Sequence, residues 1–417
     1  MSNRITNRFA LGVAAASLLV GCGGSQSLVG HPNVIAPAAQ RARLALTRGF
    51  GTVFAVTPSG KESVLHAFAG GADGANPRAA LLNVNGVLYG TTSSGGTYNG
   101  GTLFTITPSG SETVLHSFGG SGDGANPVAA LINLDGVLYG TTRNGGVENS
   151  TCAQGCGVVF SITPSGTETV VHTFGGYPND GAYPIGDLLD VSGTLYGATK
   201  GGGSDSCGSG GSAGCGTVFA ITASGEESVL FSFGAKHDDC CPSAGLADVN
   251  GTLYGTTVIH SGKVFKITAS GDESPIHRFK GYPNDGAKPY GGLIAVSDTL
   301  YGTTEYGGAH KRGTVFSVST SGSETDLYSF PGGVQGGVPH ASLLDVSGIF
   351  YGTAGEGGAS NRGVVFAITP SGTESVIYSF KGYPDDGETP DAGLIDVKGT
   401  LYGTTEYGGA GARRSET

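Results

Sequence analysis

One unit recurs seven times along this chain, and that recurrence limits the fold more than any other feature. A representative copy is GTLFTITPSGSETVLHSFGGSGDGANPVAALINLDGVLYGTT, residues 101–142. The step of about 50 residues is typical of kelch-like propeller blades, and units of this kind bury their faces only against their neighbours. The copies begin at Gly51, Gly101, Gly157, Gly216, Gly262, Gly313 and Gly363, and they end near Tyr89, Tyr139, Tyr196, Tyr254, Tyr301, Tyr351 and Tyr402.

The pattern within a unit predicts four short β-strands and almost no helix. Aromatic and β-branched residues form apolar runs, and no window keeps a period of 3.6 residues. Pro-Ser-Gly and Asn-Gly, Asp-Gly or Ser-Gly sequences supply the tight hairpin turns between the runs. In the first unit the predicted strands are Val53–Thr57, Ser63–Phe68, Ala79–Val84 and Val87–Thr92.

The order of the strands predicts how the ring closes. Residues 51–408 are expected to form an all-β, seven-bladed β-propeller of four-stranded antiparallel blades. The chain begins in the second half of a blade and ends in the first half of one. The last blade would therefore combine Gly393–Thr405 with Gly51–Phe68, which removes two open sheet edges. The pattern favours the ALINL-type strand as innermost but leaves that assignment open.

Composition and charge exclude one class of partner. The chain has 417 residues, a formal net charge of −11 and only 13% charged residues. Basic residues form no stripe, so nucleic-acid binding is not expected. The thinly spread acidity favours solubility, and we expect a monomer.

The N-terminus predicts export and a lipid anchor. Arg4 and Arg8 precede an apolar run, Phe9–Val20, that is too short for a permanent membrane span. The run ends in Leu-Val-Gly-Cys, which resembles the bacterial lipobox, so residues 1–21 would be a signal peptide and Cys22 would carry acyl chains such as palmitate. Gly23, rather than Asp, favours the outer membrane or cell surface. The alternative is an ordinary signal peptide with an incidental cysteine.

The segments outside the repeats are expected to be simple. Residues 22–50 match no repeat and predict a lipidated tether. Residues 409–417 depart from the repeat and predict a disordered tail. Since another GTVF strand would follow at this point in a longer array, truncation of such an array remains an alternative that would change the blade number.

Long loops are predicted to share one face of the ring. In an up-and-down blade, the turns after the LYGTT strand and after the LHSF strand lie on the same side. These are the loops that vary most, and function on rigid scaffolds usually lies on such loops. The second loop family carries a Tyr-Pro-Asn/Asp-Asp-Gly motif. The candidate binding residues there are Tyr177, Asp180, Tyr282, Asp285, Tyr383 and Asp386, joined by His237, Asp238 and Asp239 in a divergent copy.

Those residues leave two interpretations open. Carboxylates beside exposed tyrosines would suit a glycan or Ca²⁺. Alternatively, each Asp-Gly pair is a turn in which the carboxylate caps its own backbone, and the absence of EF-type spacing favours this structural role. Four histidines, His66, His116, His172 and His277, occupy a position where other units have Phe231, Tyr328 and Tyr378, so we interpret them as packing residues and expect no metal and no cofactor.

Six cysteines beyond Cys22 predict disulfide bonds in an exported protein. Cys152 and Cys156 share one loop, and Cys207 and Cys215 share the equivalent loop one blade later. Zinc is the alternative for these loops, although no Cys-x-x-Cys pair is present. Cys240 and Cys241 are adjacent and would form a vicinal disulfide, pin the loop in another way, or remain thiols.

Residues 51–405 resemble the GloVer tandem-repeat family of exported bacterial proteins. The resemblance rests on LYGTTEYGG at Leu300–Gly308 and GTVFSV at Gly313–Val318, with further close copies. It implies export, surface anchoring and a propeller-like fold, and it implies no defined reaction.

The function expected from these features is binding rather than catalysis. No nucleophile elbow, His-Glu-x-x-His helix or phosphate loop is present. We therefore expect a cell-envelope binding module for glycans or other envelope polymers, or for an envelope protein. The alternatives are a propeller enzyme, such as a lyase, a quinoprotein-like enzyme or a glycan-active hydrolase, and a structural envelope protein. A cluster of unpaired His, Asp and Arg in the central channel would favour the enzyme.

Overall fold

The computed structural model describes residues 48–205, 207, 214–234 and 240–410. The predicted signal peptide, Cys22, most of the tether, His237–Asp239 and residues 411–417 of the tail lie outside the described residues. The described residues begin at Arg48, slightly before the predicted start of the ring.

Seven four-stranded antiparallel sheets form the blades, as predicted. We number them 1–7 in chain order of their first strands and label the strands a to d within each blade. Strands a are Leu82–Val84, Ile132–Leu134, Leu189–Val191, Ala247–Val249, Ile294–Val296, Leu344–Val346 and Ile395–Val397. Strands b are Val87–Thr92, Val137–Thr142, Thr194–Gly202, Thr252–Thr257, Thr299–Thr304, Ile349–Ala354 and Thr400–Thr405. Strands c are Thr102–Ile106, Val158–Ile162, Thr217–Thr222, Lys263–Ile267, Thr314–Ser319, Val364–Ile368 and Thr52–Val56. Strands d are Glu112–Ser117, Glu168–Thr173, Glu227–Ser232, Glu273–Arg278, Glu324–Ser329, Glu374–Ser379 and Glu62–Ala67.

Blade 7 closes the ring with strands from both ends of the chain. Strand c, Thr52–Val56, pairs with strand b, Thr400–Thr405, and Phe54 lies opposite Gly403. This confirms the predicted two-plus-two closure. A charged contact reinforces it, because Arg48 bonds to the buried Glu388 and stacks on the Tyr407 ring at 4.9 Å.

The core lies between blades and is built from one phenylalanine on each strand c and one directly after each strand d. Phe118 of blade 1, for example, contacts Phe160 of blade 2 with ring centroids 5.0 Å apart. The glycine of each Leu-Tyr-Gly sequence makes room for the strand c phenylalanine. A Cβ atom on Gly403 would lie 2.7 Å from Phe54 Cζ, so only glycine fits there without movement.

The innermost strands are strands a, and small residues at their entrances line a central channel. The long loops share one face, because short ribbons join the loop before strand a to the loop after strand b. These ribbons pair Gly124–Ala125 with Asn144–Gly145, Gly286–Ala287 with Tyr306–Gly307, and Gly387–Glu388 with Tyr407–Gly408, while Gly181–Pro184 extends blade 3. Two single-turn 3₁₀ helices, Gly71–Asp73 and Gly333–Gln335, lie in the same loops. Among the described residues no helix is long and apolar enough to cross a membrane.

Candidate functional site

The mouth of the central channel, on the long-loop face, is the place where the blades differ in chemistry. Each unit has a proline shortly before strand a, and the residue after it lines a central cavity of 170 Å³. The surrounding turn residues repeat closely, but this position differs in every blade. We call it the first ring, and its members in blades 1 to 7 are Arg78, Val128, Ile185, Ser243, Tyr290, His340 and Asp391.

The backbone before each proline explains why these side chains reach the channel. The residue before the proline has a left-handed conformation in all seven units, with φ between 57° and 65°. Its N–H donates to the loop before strand c, as in Val338 N–H to Arg312 C=O at 2.8 Å. Positive φ is unfavourable for β-branched residues such as Val338 and Thr389. The backbone of this loop therefore has the same conformation in every blade, while the side chain of the residue after the proline varies.

A second ring surrounds the first and comes from the residue four positions after the tyrosine of each strand b. Arg78 of the first ring bonds to Glu406 of blade 7. His340 Nε2 lies 3.1 Å from Glu305 Oε1, and His340 Nδ1 lies 3.3 Å from Asp391 Oδ1. Blades 5, 6, 7 and 1 thus contribute one connected group of charged side chains. The second ring consists of Ser93, Arg143, Lys200, Val258, Glu305, Gly355 and Glu406.

His340 is the centre of this charged group. Burial alone would lower its pKa, but hydrogen bonds and charges from Asp391 and Glu305 raise the pKa to about 10. The imidazole is therefore a cation at neutral pH and is hydrogen-bonded through both nitrogens. The Tyr290 ring packs edge-on against it, with centroids 5.7 Å apart. Unpaired His, Asp and Arg side chains in the channel were the feature expected of an enzyme, whereas His340, Asp391 and Arg78 each have a charged partner.

Asp187 is a second notable group deeper in the channel. It stands three residues after the proline, where the other units have Ala80, Ala130, Gly245, Gly292, Ser342 and Gly393. Its Oδ1 accepts a hydrogen bond from Ala130 N–H at 2.6 Å. The Asp187 side chain is exposed to the channel, and the protein that surrounds the channel raises the pKa of its carboxyl by partial desolvation, while this hydrogen bond opposes the shift. Sequence reasoning missed both rings and Asp187, although the blade-specific residues after each proline were the signal.

The residues predicted from the Asp-Gly motif lie at the outer edge of the ring instead. Asp386 Oδ2 accepts from Lys381 N–H at 2.7 Å and Oδ1 accepts from Gly387 N–H at 2.6 Å. Asp180 accepts equivalent bonds from Gly175 and Gly181. The backbone-capping interpretation is therefore confirmed for these two residues.

The tyrosines of that motif are exposed to different degrees and are not brought together. Tyr282 and Tyr383 are 54% and 39% exposed, whereas Tyr177 is partly buried. They lie in the loops between blades 2 and 3, 4 and 5, and 6 and 7, and none of them lines the central cavity. The remaining predicted residues, His237, Asp238 and Asp239, lie outside the described part of the chain.

The four repeated histidines have polar neighbours that the sequence did not reveal. Each lies beside the Asp of its own loop and the Glu that begins strand d of the next blade. His116 Nε2, for example, is 3.0 Å from Asp123 Oδ2. In every one of these groups the His, Asp and Glu ligand atoms lie within 4.8 Å of one another. The histidines also pack against phenylalanine, as predicted, so the packing role is correct but incomplete.

The cysteines follow the prediction in two loops. Cys152 is bonded to Cys156, and Cys207 is bonded to Cys215, as expected. Cys240 Sγ lies 2.8 Å from Cys207 Sγ, and a disulfide bond between Cys240 and Cys241 stays a prediction. Adjacent Cα atoms lie about 3.8 Å apart, less than the span that an ordinary disulfide needs. Both side chains are buried, and their Sγ atoms lie 2.6 Å apart.

The fold and the channel define a seven-bladed β-propeller repeat protein. The chain belongs to the Gloeobacter/Verrucomicrobia repeat family, whose model matches residues 42–209 and 207–414. This confirms the predicted family. A search of the curated proteins found no match.

Solved structures with a similar fold are distant in sequence. The chain is 13% identical to a candidate 6-phosphogluconolactonase from Bacteroides uniformis ATCC 8492, over 79% of this chain and 95% of that one, with a TM-score of 0.49. It is 11% identical to the tricorn protease, over 73% of this chain and 26% of that one, with a TM-score of 0.42. Similarities at this level carry no conclusion about activity.

Proposed function

We propose that this protein is a lipid-anchored β-propeller of the bacterial cell envelope that binds a polar polymer, a glycan or a related envelope component, at the mouth of its central channel. The observation that carries the proposal is the contrast between the uniform repeat and the two rings. Side chains that serve only to hold blades together recur from unit to unit. The first ring does not recur, and its charged members meet Glu305 and Glu406 of the second ring, so that blades 5, 6, 7 and 1 all contribute.

The chemistry of the two rings suits recognition of hydroxyl-rich ligands. Paired carboxylates and cations present fixed acceptors and donors, and aromatic faces such as Tyr290 provide an apolar surface beside them. On the opposite side of the mouth, the first ring carries the apolar side chains Val128 and Ile185. A ligand lying across the first ring would therefore meet both charged and apolar side chains, which fits the two kinds of surface on a sugar ring.

Binding is favoured over acid–base catalysis by the state of His340. A general base works best when its pKa is near the working pH. With a pKa of about 10 and carboxylate partners on both nitrogens, His340 is poorly suited to accept a proton at neutral pH. The second candidate function is an enzyme acting in the channel, and Asp187 favours it, because a carboxyl with a raised pKa can serve as a general acid.

A glycan array tests the binding proposal. The chain from residue 23 onward would be compared with a channel variant, His340→Gln with Asp391→Asn, and with a rim variant in which Tyr177, Tyr282 and Tyr383 are changed to Ala. We expect binding to at least one envelope polymer, reduced at least about tenfold by the channel variant and retained by the rim variant.

Each other outcome has a defined meaning. Loss of binding only in the rim variant would move the site to the outer loops. Absence of binding to every polymer would contradict the glycan proposal. Turnover of a bound polymer that is abolished by Asp187→Asn would favour the enzyme. Circular dichroism of each variant controls for folding.

The anchor is tested separately. Cys22→Ser should shift the protein from the detergent phase to the aqueous phase in a phase-separation assay, because several acyl chains are needed for stable anchoring. Mass spectrometry of the N-terminal peptide should show acyl groups on Cys22. An unmodified peptide that begins elsewhere would contradict the lipobox interpretation.

A further inference from the structure

The interface between blades 4 and 5 holds a group of side chains that neither ring uses. His277 on strand d of blade 4 lies beside Asp285 of the following loop, with Nε2 3.4 Å from Oδ2. Glu324 reaches them from strand d of blade 5, and one ligand atom from each of the three lies within 4.8 Å of the others. A cleft of 290 Å³ opens beside these three side chains.

A third carboxylate makes this group different from the equivalent ones. Asp326 stands two residues after Glu324, at a position where five other units have valine and one has Pro275. The Asp326 carboxylate is near enough to interact electrostatically with Asp285, Glu324 and His277. Three carboxyl groups thus crowd one imidazole at this interface.

Polar atoms in this group lack partners. Asp285 is 5% exposed, and its Oδ2 accepts from Lys280 N–H at 2.7 Å. Its Oδ1, together with Glu324 Oε1, Asp326 Oδ1 and His277 Nε2, is buried and makes no hydrogen bond to any described residue. In the related loops, Gly181 N–H and Gly387 N–H satisfy the same Oδ1 position. Buried acceptors without donors are costly and call for a positive partner.

The neighbouring interface shows how the chain itself supplies such a partner. Between blades 3 and 4, Phe231 replaces the histidine, and the equivalent glutamate is Glu273. There Lys263, 1% exposed, places its Nζ 2.9 Å from Glu273 Oε1. The ammonium group of Lys263 thus neutralises Glu273 at an interface where Phe231 replaces the histidine. Between blades 5 and 6, Tyr328 OH donates to Glu374 at 3.3 Å.

We propose that His277, Asp285, Glu324 and Asp326 bind a divalent transition-metal ion of the Mn²⁺ type at the interface between blades 4 and 5. One imidazole with three carboxylates is a donor set that suits Mn²⁺, since carboxylates favour hard divalent ions and imidazole favours transition metals over Ca²⁺ or Mg²⁺. The ion would link two blades and satisfy the orphaned oxygens. Lys280, whose side chain lines the cleft, is the competing source of positive charge.

The test uses the purified protein, Mn²⁺ as the probe, and electron paramagnetic resonance together with isothermal titration calorimetry. Mn²⁺ binds thiolates poorly, so the cysteine loops do not compete. Two variants, Asp326→Val and His277→Phe, each remove one ligand and introduce the residue that another blade has at the equivalent position. His116→Phe, at the interface of blades 1 and 2, is the matched control. All three should fold, because valine and phenylalanine stand at these positions elsewhere in the ring.

We expect Mn²⁺ to bind the unaltered protein and to raise its melting temperature. Asp326→Val and His277→Phe should each weaken binding at least about tenfold, and His116→Phe should change it less than about threefold. Binding of Ca²⁺ as tight as that of Mn²⁺, with no effect of His277→Phe, would overturn the proposal. So would the absence of Mn²⁺ binding, or equal weakening by His116→Phe. If Lys280→Ala creates binding that the unaltered protein lacks, the lysine is the native counter-charge and the proposal is wrong.

Discussion

The buried pair Lys263–Glu273 allows a quantitative test of how blade interfaces are neutralised. Its Nζ–Oε1 distance is 2.9 Å, and the side chains are 1% and 8% exposed, so water screens neither charge. Removing one partner of a buried pair costs about 3–5 kcal/mol, while replacing both by neutral groups of similar volume is close to neutral. We expect Lys263→Met and Glu273→Gln each to lower the free energy of unfolding by about 3 kcal/mol.

The double variant distinguishes the pair from simple loss of packing. Lys263→Met with Glu273→Gln should lose about 1 kcal/mol or less, which gives a coupling energy of about 5 kcal/mol. Denaturant unfolding followed by circular dichroism measures all four proteins, and Lys266→Met, a partly exposed lysine on the same strand, is the control with an expected loss below about 0.5 kcal/mol. A coupling energy below about 0.5 kcal/mol would refute the reasoning.

Three further predictions concern the rest of the ring. Burial and the neighbouring Asp73 raise the pKa of Glu112 to about 7, so its contribution to stability is complete below its unfolded pKa near 4.5 and is lost as the pH rises through 7. Thermal unfolding should show that stability falls between about pH 5 and 8, and that it falls less in Glu112→Gln. The same pH profile in the variant as in the unaltered protein would contradict this. Gly302→Ala should lower the free energy of unfolding by about 1–3 kcal/mol, because the new Cβ would lie 2.8 Å from Phe316 Cζ. Chemical denaturation measures this loss, and an unchanged free energy of unfolding would show that the Phe316 side chain can move aside. Opening the short Cys152–Cys156 loop with Cys152→Ser should lower the free energy of unfolding by about 2 kcal/mol in non-reducing buffer and by much less once a reductant is present; equal losses in both would argue against the bond.

Much of the fold is predictable because each unit repeats its local signals. The Leu/Phe-Tyr-Gly strand, the Gly-x-Val/Leu-Phe strand and the hairpin turns appear in every copy, so an ambiguous copy can be interpreted from the others. Closure also follows from order alone, since a chain that starts at Thr52 in a third strand and ends at Thr405 in a second strand has one complementary way to complete a sheet.

The sites were less predictable because they depend on which units become neighbours. Glu112 is separated from His66 by a long loop and three strands, and it reaches the histidine from the adjacent blade. His340 meets Glu305 and Asp391 from two other blades. The histidines were predicted to be packing residues because the sequence allows equivalent positions of the repeats to be compared. It does not show which side chains of adjacent blades face one another.

The shared seventh blade has a consequence for how the protein is made. The hairpin Thr52–Ala67 emerges first, yet the strand that it pairs with is completed only at Thr405. Early in biosynthesis this hairpin has an open edge and an uncovered apolar side, the kind of surface on which chaperones act. A chain that stops short of its last strands would keep that edge exposed, and a full-length chain hides it. The seam of the ring therefore stays open until synthesis has reached the strand that ends at Thr405.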